Sequence, residues 1–286
     1  MCGIFGLFNN KLFDIEFLKL VCNKGSNRGP DNTQFLHNKP HEYSIGFHRL
    51  AINGLNDESN QPICIDNIIL ICNGEIYNYK QLYNEINVTP KTGSDCEIII
   101  HLYKKYGINQ TLQLLDGVFS FILIDTTDFI EGKKVYIARD PFGVRPLYFI
   151  KYTYEIKYSE STSIIAKRKQ STIYGFASTP GMLIDIHRYK NPNNKALLHA
   201  SKSSIIQFTP GTYMKLLKSW NCHSEWEIST YNKLYYSLWN PKSNIHNVSN
   251  INYTTIYNNI YNSLMQAVSK RVDNTDRELC CLLSGG

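Results

Sequence analysis

Short apolar runs broken by turn residues fill the first 150 positions of this 286-residue chain, and nothing else in it narrows the fold as much. The runs at 68–72, 118–125, 134–138 and 147–150 are short for helices and rich in Ile, Val, Phe and Tyr, as strands are. Asn73-Gly74, a dipeptide favoured in tight hairpins, reads as the turn that stops the first run. Asp140-Pro141-Phe142-Gly143 reads as a second turn. Two helices are predicted beside the strands. One covers 13–23; the other starts at Ser94, where Ser94-x-x-Glu97 has the form of a capping box ahead of 98–106. Many short strands with a few helices predict layers of α+β type.

Beyond residue 150 the signal thins. Residues 151–205 are polar, basic and irregular, with a weak strand signal at 174–177, and a strand with a turn follows at 205–211. The stretch 219–250 has no periodicity and reads as a connector. Tyr257, Tyr261, Leu264 and Val268, with Ile256 and Ile260 alongside, recur at helical spacing. They predict a helix over 253–271, with Lys270 and Arg271 near its negative end. An apolar strand is expected at 279–283, before Ser284-Gly285-Gly286. The length suggests two folding units.

With 43% hydrophobic and 19% charged residues the chain can build a core, which excludes wholesale disorder. No apolar run nears the roughly 18 residues of a membrane span, and the start lacks the basic region of a secretory leader. A soluble, cytoplasmic chain with no membrane partner is expected. Eight cysteines are too sparse for a disulfide scaffold, and without Cys-x-x-Cys or His-Glu-x-x-His no metal site is expected. The net charge is +6, and residues 151–218 carry 11 Lys/Arg against 3 Asp/Glu. No aromatic-interleaved recognition motif accompanies them, so they read as solvated surface and no nucleic-acid partner is expected.

Cys2 carries the most chemistry. Removal of Met1 leaves it first in the chain, and a thiol beside its own α-amine is a nucleophile–base pair. Such an amine titrates at roughly 7.7–8.0 and is partly unprotonated at neutral pH, so no separate histidine is required. Further motifs follow in order: Arg28-Gly29-Pro30-Asp31, His48-Arg49-Leu50-Ala51-Ile52, Asn73-Gly74-Glu75-Ile76-Tyr77-Asn78 and Ser94-Asp95-Cys96-Glu97. Each has an ordinary reading as a turn, ion pair or helix cap when taken alone.

With Met1-Cys2-Gly3-Ile4-Phe5-Gly6 before them and Asp140-Pro141-Phe142-Gly143-Val144-Arg145-Pro146-Leu147-Tyr148 after, the series resembles the N-terminal-nucleophile glutaminase domain of class II glutamine amidotransferases, over roughly residues 1–215. The resemblance implies an αββα sandwich of two antiparallel sheets and hydrolysis of L-glutamine by Cys2, with Asn73 and Gly74 as the oxyanion hole. It implies a glutamine site made of Arg49, Leu50, Ala51, Ile52, Asn53, Asn73, Gly74, Glu75 and Asp95. The residue types suit these roles. Asn73 offers a side-chain amide and Gly74 a backbone N–H to an oxyanion. Arg49 can fork onto the α-carboxylate, and Glu75 and Asp95 can receive the α-ammonium. The Arg28–Asp31 turn reads as support for this pocket. Asn27, where the family commonly has His, is a departure.

Within that class, Pro210-Gly211-Thr212-Tyr213, Trp239-Asn240-Pro241, the 253–271 helix and Leu282-Leu283-Ser284-Gly285-Gly286 resemble the glutamine-hydrolysing asparagine synthetases. This divides the chain into a glutaminase domain at 1–215, a connector at 216–250 and, at 251–286, the first helix and strand of a truncated α/β ATP-pyrophosphatase domain. Leu283, Ser284, Gly285 and Gly286 would begin its ATP-binding loop. The glutaminase half is expected to need no cofactor; ATP and Mg, with L-aspartate as second substrate, belong to the complete enzyme. A synthetase domain is expected in cis or in trans, a homodimer is a further expectation, and this chain alone is not expected to make asparagine. Ser178-Thr179, where the family usually has Ser-Glu, bears on the interface to that domain. Two alternatives stay open: another class II amidotransferase, and a non-catalytic glutamine-sensing module.

Overall fold

The computed structural model describes residues 1–128, 130–158, 167–189, 204–220, 224–235 and 252–282. Its strands are β1 (Gly3–Phe8), β2 (Asn32–Asn38), β3 (Tyr43–Arg49), β4 (Ile63–Ile65), β5 (Ile68–Ile76), β6 (Gly117–Asp125) and β7 (Lys133–Arg139). They continue with β8 (Tyr148–Tyr158), β9 (Lys167–Ala177), β10 (Ile205–Gln207), β11 (Thr212–Lys218) and β12 (Glu227–Leu234). The helices are α1 (Ile15–Asn23), α2 (Tyr79–Ile86), α3 (Ile98–Leu114), α4 (Pro180–Arg188) and α5 (Tyr253–Val272). Six strands in the order β10-β8-β9-β1-β3-β2 form one sheet, and six in the order β12-β11-β7-β6-β5-β4 the other. All these pairings are antiparallel. The mixed α+β architecture expected from the sequence is therefore present.

Alternation of side chains along the strands explains the layering. On β1, Ile4 and Phe8 join the apolar cluster that holds Ile71, Ile122, Ile137 and Met214 of the facing sheet. Phe5 and Leu7, on its other face, cluster with Leu18 of α1 and Met182 and Leu183 of α4. In the second sheet, Leu70, Cys72, Phe119 and Phe121 meet α2 and α3 through Leu82, Ile98 and Leu102. Three apolar interfaces thus stack helices, sheet, sheet and helices. Strands covered on both faces carry apolar residues at successive positions, so 68–72, and 121–124 within the run 118–125, show no clean alternation. Gly6 permits the close sheet-to-sheet contact, since a Cβ there would lie 2.5 Å from Ile122 Cδ1.

The helices and strands expected in the first 150 residues form, with one correction. β5 does not stop at Asn73-Gly74; it continues to Ile76, with Asn73 opposite Ser120 and Gly74 opposite Phe119. The tight turn lies earlier, at Asp66 and Asn67 between β4 and β5, where φ is 48° and 63°. Burial on both faces of β5 outweighs the turn preference of Asn-Gly. Gly74 serves close packing instead, because a Cβ would stand 2.7 Å from Phe119 Cβ. Ser94 caps as expected, accepting from Cys96 N–H at 3.3 Å. Glu97 does not close the box; its carboxylate accepts from Lys91 N–H and Thr92 N–H at 2.7 and 2.6 Å.

The second half is more ordered than its composition predicts. β8 and β9 form a long hairpin, from Tyr148 opposite Ala177 to Tyr158 opposite Lys167; its open end matches the runs read as extended at 147–150 and 174–177, and the rest lies in the segment read as irregular. α4 has no counterpart in the sequence reading; Pro180 at its start and the buried Met182, Leu183 and Ile186 are its signal. β12 pairs with β11 inside the stretch read as a connector. α5 forms as expected but buries none of its side chains, so Tyr257, Tyr261, Leu264 and Val268 are exposed. The strand expected at 279–283 is absent over 279–282: these residues pair with no strand among the described residues, and Leu282 is 97% exposed. An apolar run without a neighbouring edge has no ladder to join. Trp239-Asn240-Pro241 and Leu283 to Gly286 lie outside the described residues.

Trp226, just before β12, closes one end of the inter-sheet core. It is 1% exposed, packs edge-on to Phe8 at 5.6 Å, and donates its indole N–H to His41 O at 2.7 Å. Trp226→Ala is expected to cost about 3–5 kcal/mol in urea unfolding. A loss under 1 kcal/mol would mean that β12 is not part of the sandwich.

Candidate active site

Cys2 sits just ahead of β1, the strand held between β9 and β3. Arg28 fixes its position by donating Nε–H to Cys2 O at 2.9 Å. Leu50 N–H donates to Cys2 Sγ at 3.4 Å, and the thiol reaches Leu50 O at 3.5 Å. Burial raises the thiol pKa, while the Leu50 N–H and the chain's terminal ammonium pull it back only in part. A thiol held protonated in this way needs a base beside it. His48 is opposite Gly3 in the sheet but is committed elsewhere: Nε2 bonds Cys22 O at 2.8 Å and Nδ1 meets Thr33 Oγ1 at 2.9 Å. The Met1 amine, one residue before Cys2, has its pKa lowered by burial and then by the charges of Arg28 and Arg145.

Cys2 lines a cleft whose floor is the end of β5. Cys72 N–H donates to Gln61 Oε1 at 2.6 Å and Ile76 N–H to Asp95 Oδ2 at 2.6 Å. Gly74 lies two residues from each, so its N–H faces the same edge of the strand, between those two bonds. Asn73 is buried, and its Nδ2 has no hydrogen-bond partner among the described residues. Two N–H donors therefore border the cleft that holds the thiol.

The charged groups divide into satisfied and unsatisfied. Arg49 is 6% exposed, and its guanidinium holds the following loop: Nη1 donates to Asn56 O at 2.9 Å and Asn60 Oδ1 at 2.7 Å, and Nη2 to Asn53 O and Gly54 O. Among the described residues both terminal nitrogens of Arg49 are engaged by loop oxygens, and no partner is seen for its Nε–H. Glu75 is paired through Oε1 with Arg145 Nη2 at 2.6 Å. Asp95 is buried and no cation pairs with it among the described residues. Burial raises its pKa to about 6, with the Ile76 N–H and the Asn53 side chain opposing and the nearby Glu75 charge adding to the rise.

Cys2, Arg49, Leu50, Ile52, Asn53, Asn73, Gly74, Glu75 and Asp95 all line this one cleft. Ala51 does not; it is buried behind the wall, its N–H bonded to Asp31 Oδ2 at 2.8 Å. That bond, with Arg28, gives the 28–31 turn its supporting place. Arg145 is a lining residue that sequence reasoning did not single out. Its signal was in the Asp140 motif: the Asp140 carboxylate accepts from the N–H groups of Phe142, Val144 and Arg145 at 3.0–3.1 Å, curling the loop that delivers Arg145 to Glu75. Among the described residues no group of three His, Cys, Asp or Glu is placed to hold a metal ion. No helix among them is long and apolar enough to cross a membrane.

Residues 1–227 match the family described as a glutamine amidotransferase domain, and the chain belongs to that family. Its relatives include the glutamine-hydrolysing asparagine synthetase of Pongo abelii, 32% identical over all of this chain and 46% of that protein. That of Gallus gallus is 42% identical over 52% of this chain and 26% of that protein. A probable asparagine synthetase of Acanthamoeba polyphaga mimivirus is 31% identical over all of this chain and 47% of its own length. The chain spans about half the length of the curated relatives that match it throughout.

Four oxygens meet the two terminal nitrogens of Arg49, a number that one lysine ammonium does not reach. Arg49→Lys is expected to lower stability by about 1–3 kcal/mol and to speed hydrogen exchange over 53–60. Exchange there at the parent rate would show that the loop keeps its shape without the guanidinium.

Proposed function

We propose that the chain carries the glutaminase half of a glutamine-hydrolysing asparagine synthetase. The observation that carries the reading is the setting of Cys2: one cleft joins this thiol at the head of a buried strand to an unpartnered buried amide and an uncompensated carboxylate. Once Met1 is removed, the freed α-amine takes the thiol proton and Cys2 Sγ attacks the side-chain carbonyl carbon of glutamine. Asn73 Nδ2–H and Gly74 N–H receive the oxyanion. The proton passes to the departing nitrogen, ammonia leaves, and water hydrolyses the γ-glutamyl thioester to glutamate and free thiol. Asp95 takes the α-ammonium, and the Arg49 charge, through Nε–H, attracts the α-carboxylate.

The four layers and the nucleophile at the first strand fit an N-terminal-nucleophile hydrolase sandwich of αββα type. The pairing of β12 within the second sheet supports a unit that runs to about residue 234. In the complete protein the ammonia would amidate L-aspartate with ATP and Mg, supplied by the further length that the relatives have. Leu283, Ser284, Gly285 and Gly286, assigned to the ATP loop, lie outside the described residues.

The test is glutamate release from glutamine by the chain with a free N-terminus. Cys2→Ala is expected to abolish it, and Asn73→Ala to lower kcat by about 10²–10³-fold. Glutamine binding without turnover in the parent chain would favour the sensing module instead. The pH dependence follows from Asp95, whose ionised form binds the ammonium and is lost as pH falls through about 6. Calorimetry on Cys2→Ala should give a constant glutamine Kd above that pH and about a tenfold rise per unit below it. A flat profile to pH 5 would remove Asp95 from the ammonium site.

A further inference from the structure

The loop that walls the cleft is held from two directions. Arg49 grips it from within, and a segment 222 residues further along the chain grips it from outside. Asp276 N–H donates to Ile52 O at 3.1 Å, and Asp276 Oδ2 accepts from Gly54 N–H at 2.8 Å. Arg277 donates Nε–H to Ala51 O at 3.0 Å, and its Nη2 lies 3.9 Å from Asp31 Oδ2, the carboxylate already bonded to Ala51 N–H. The same segment is moored beside the cleft. Lys270 pairs with Asp116, Arg271 lies over the Tyr77 ring at 4.9 Å, and Asn274 Nδ2 donates to Tyr77 O at 2.8 Å. Since α5 buries no side chain, polar bonds of this kind do the work that a packed core does elsewhere.

Leu50, Ile52 and Asn53 line the cleft, whereas Asp276 and Arg277 do not. A clamp on the backbone of 51, 52 and 54 therefore orients residues that meet a ligand without meeting it itself. Both clamp residues also lie beyond residues 1–227, so the loop takes its outer support from chain outside the amidotransferase domain. We propose that Asp276 and Arg277 are positioning residues for the loop 51–54 and set glutamine affinity from outside the cleft. The inference rests on the cleft being the glutamine site.

The test uses the full chain with a free N-terminus. Asp276→Ala and Arg277→Ala are each expected to raise the glutamine KM about tenfold, the worth of one charge-assisted hydrogen bond, with kcat essentially unchanged. Asp276→Asn, which keeps an oxygen for Gly54 N–H, restores the KM. Hydrogen exchange supplies a readout that needs no turnover: amides of 51–54 exchange faster in Asp276→Ala and at the parent rate in Asp276→Asn, while those of β1 and β6 stay unchanged. Parent-like KM and exchange in both alanine variants would overturn the proposal, as would faster exchange spread over the whole chain. If the parent chain neither releases glutamate nor binds glutamine, the reading of the cleft has failed. Exchange at 51–54 then still supports the clamp if it quickens and sinks it if it does not.

Discussion

Burial of β1 on both faces is the constraint on which the rest of the structure depends. The strand lies between β9 and β3, with one face on the second sheet and the other on α1 and α4. A strand so confined has little freedom at its first residue, and that residue follows Cys2 directly. Gly6 draws the sheets together, and the partner sheet brings the end of β5 against the same place. The sandwich core thus serves as the mount for the thiol, and the donors opposite it come from the facing sheet rather than from a loop.

Around that mount, charge pairing separates structure from chemistry. Arg49 is spent on loop oxygens, Glu75 on Arg145, and Asp140 on the amides that shape the Arg145 loop. Arg49 and Asp140 are buried with their charges met by hydrogen bonds, as folded proteins require, and Glu75 is half-buried and paired. Asp95 and Asn73 stand apart: among the described residues no cation pairs with the carboxylate and no acceptor meets the amide Nδ2, and Arg145 Nε likewise has no partner. Groups left short at one wall of a cleft are those with most to gain from a ligand.

How far this was legible in the sequence differs by element. Runs such as 68–72 declare strands because their apolar content is continuous, and the ordered series of motifs led to the cleft residues. What misled was local preference judged without burial. Asn73-Gly74 has the composition of a turn, yet both faces of β5 are covered and the strand passes through. The β8–β9 hairpin escaped because much of its length is polar, and β12 because its neighbours lack periodicity; both owe their form to a partner strand that local sequence does not encode. Arg49 was assigned by residue type, and only the coordinates show its nitrogens already occupied.

The two-sided hold on residues 51–54 also bears on what a ligand must order. Loops that close over ligands often fold upon them, so association waits on a slow rearrangement and carries an entropic cost. Here the backbone is already fixed by Arg49 on one side and by Asp276 and Arg277 on the other. A wall held in this way leaves a ligand little further ordering to impose, and it becomes adjustable when chain far away in sequence lets go.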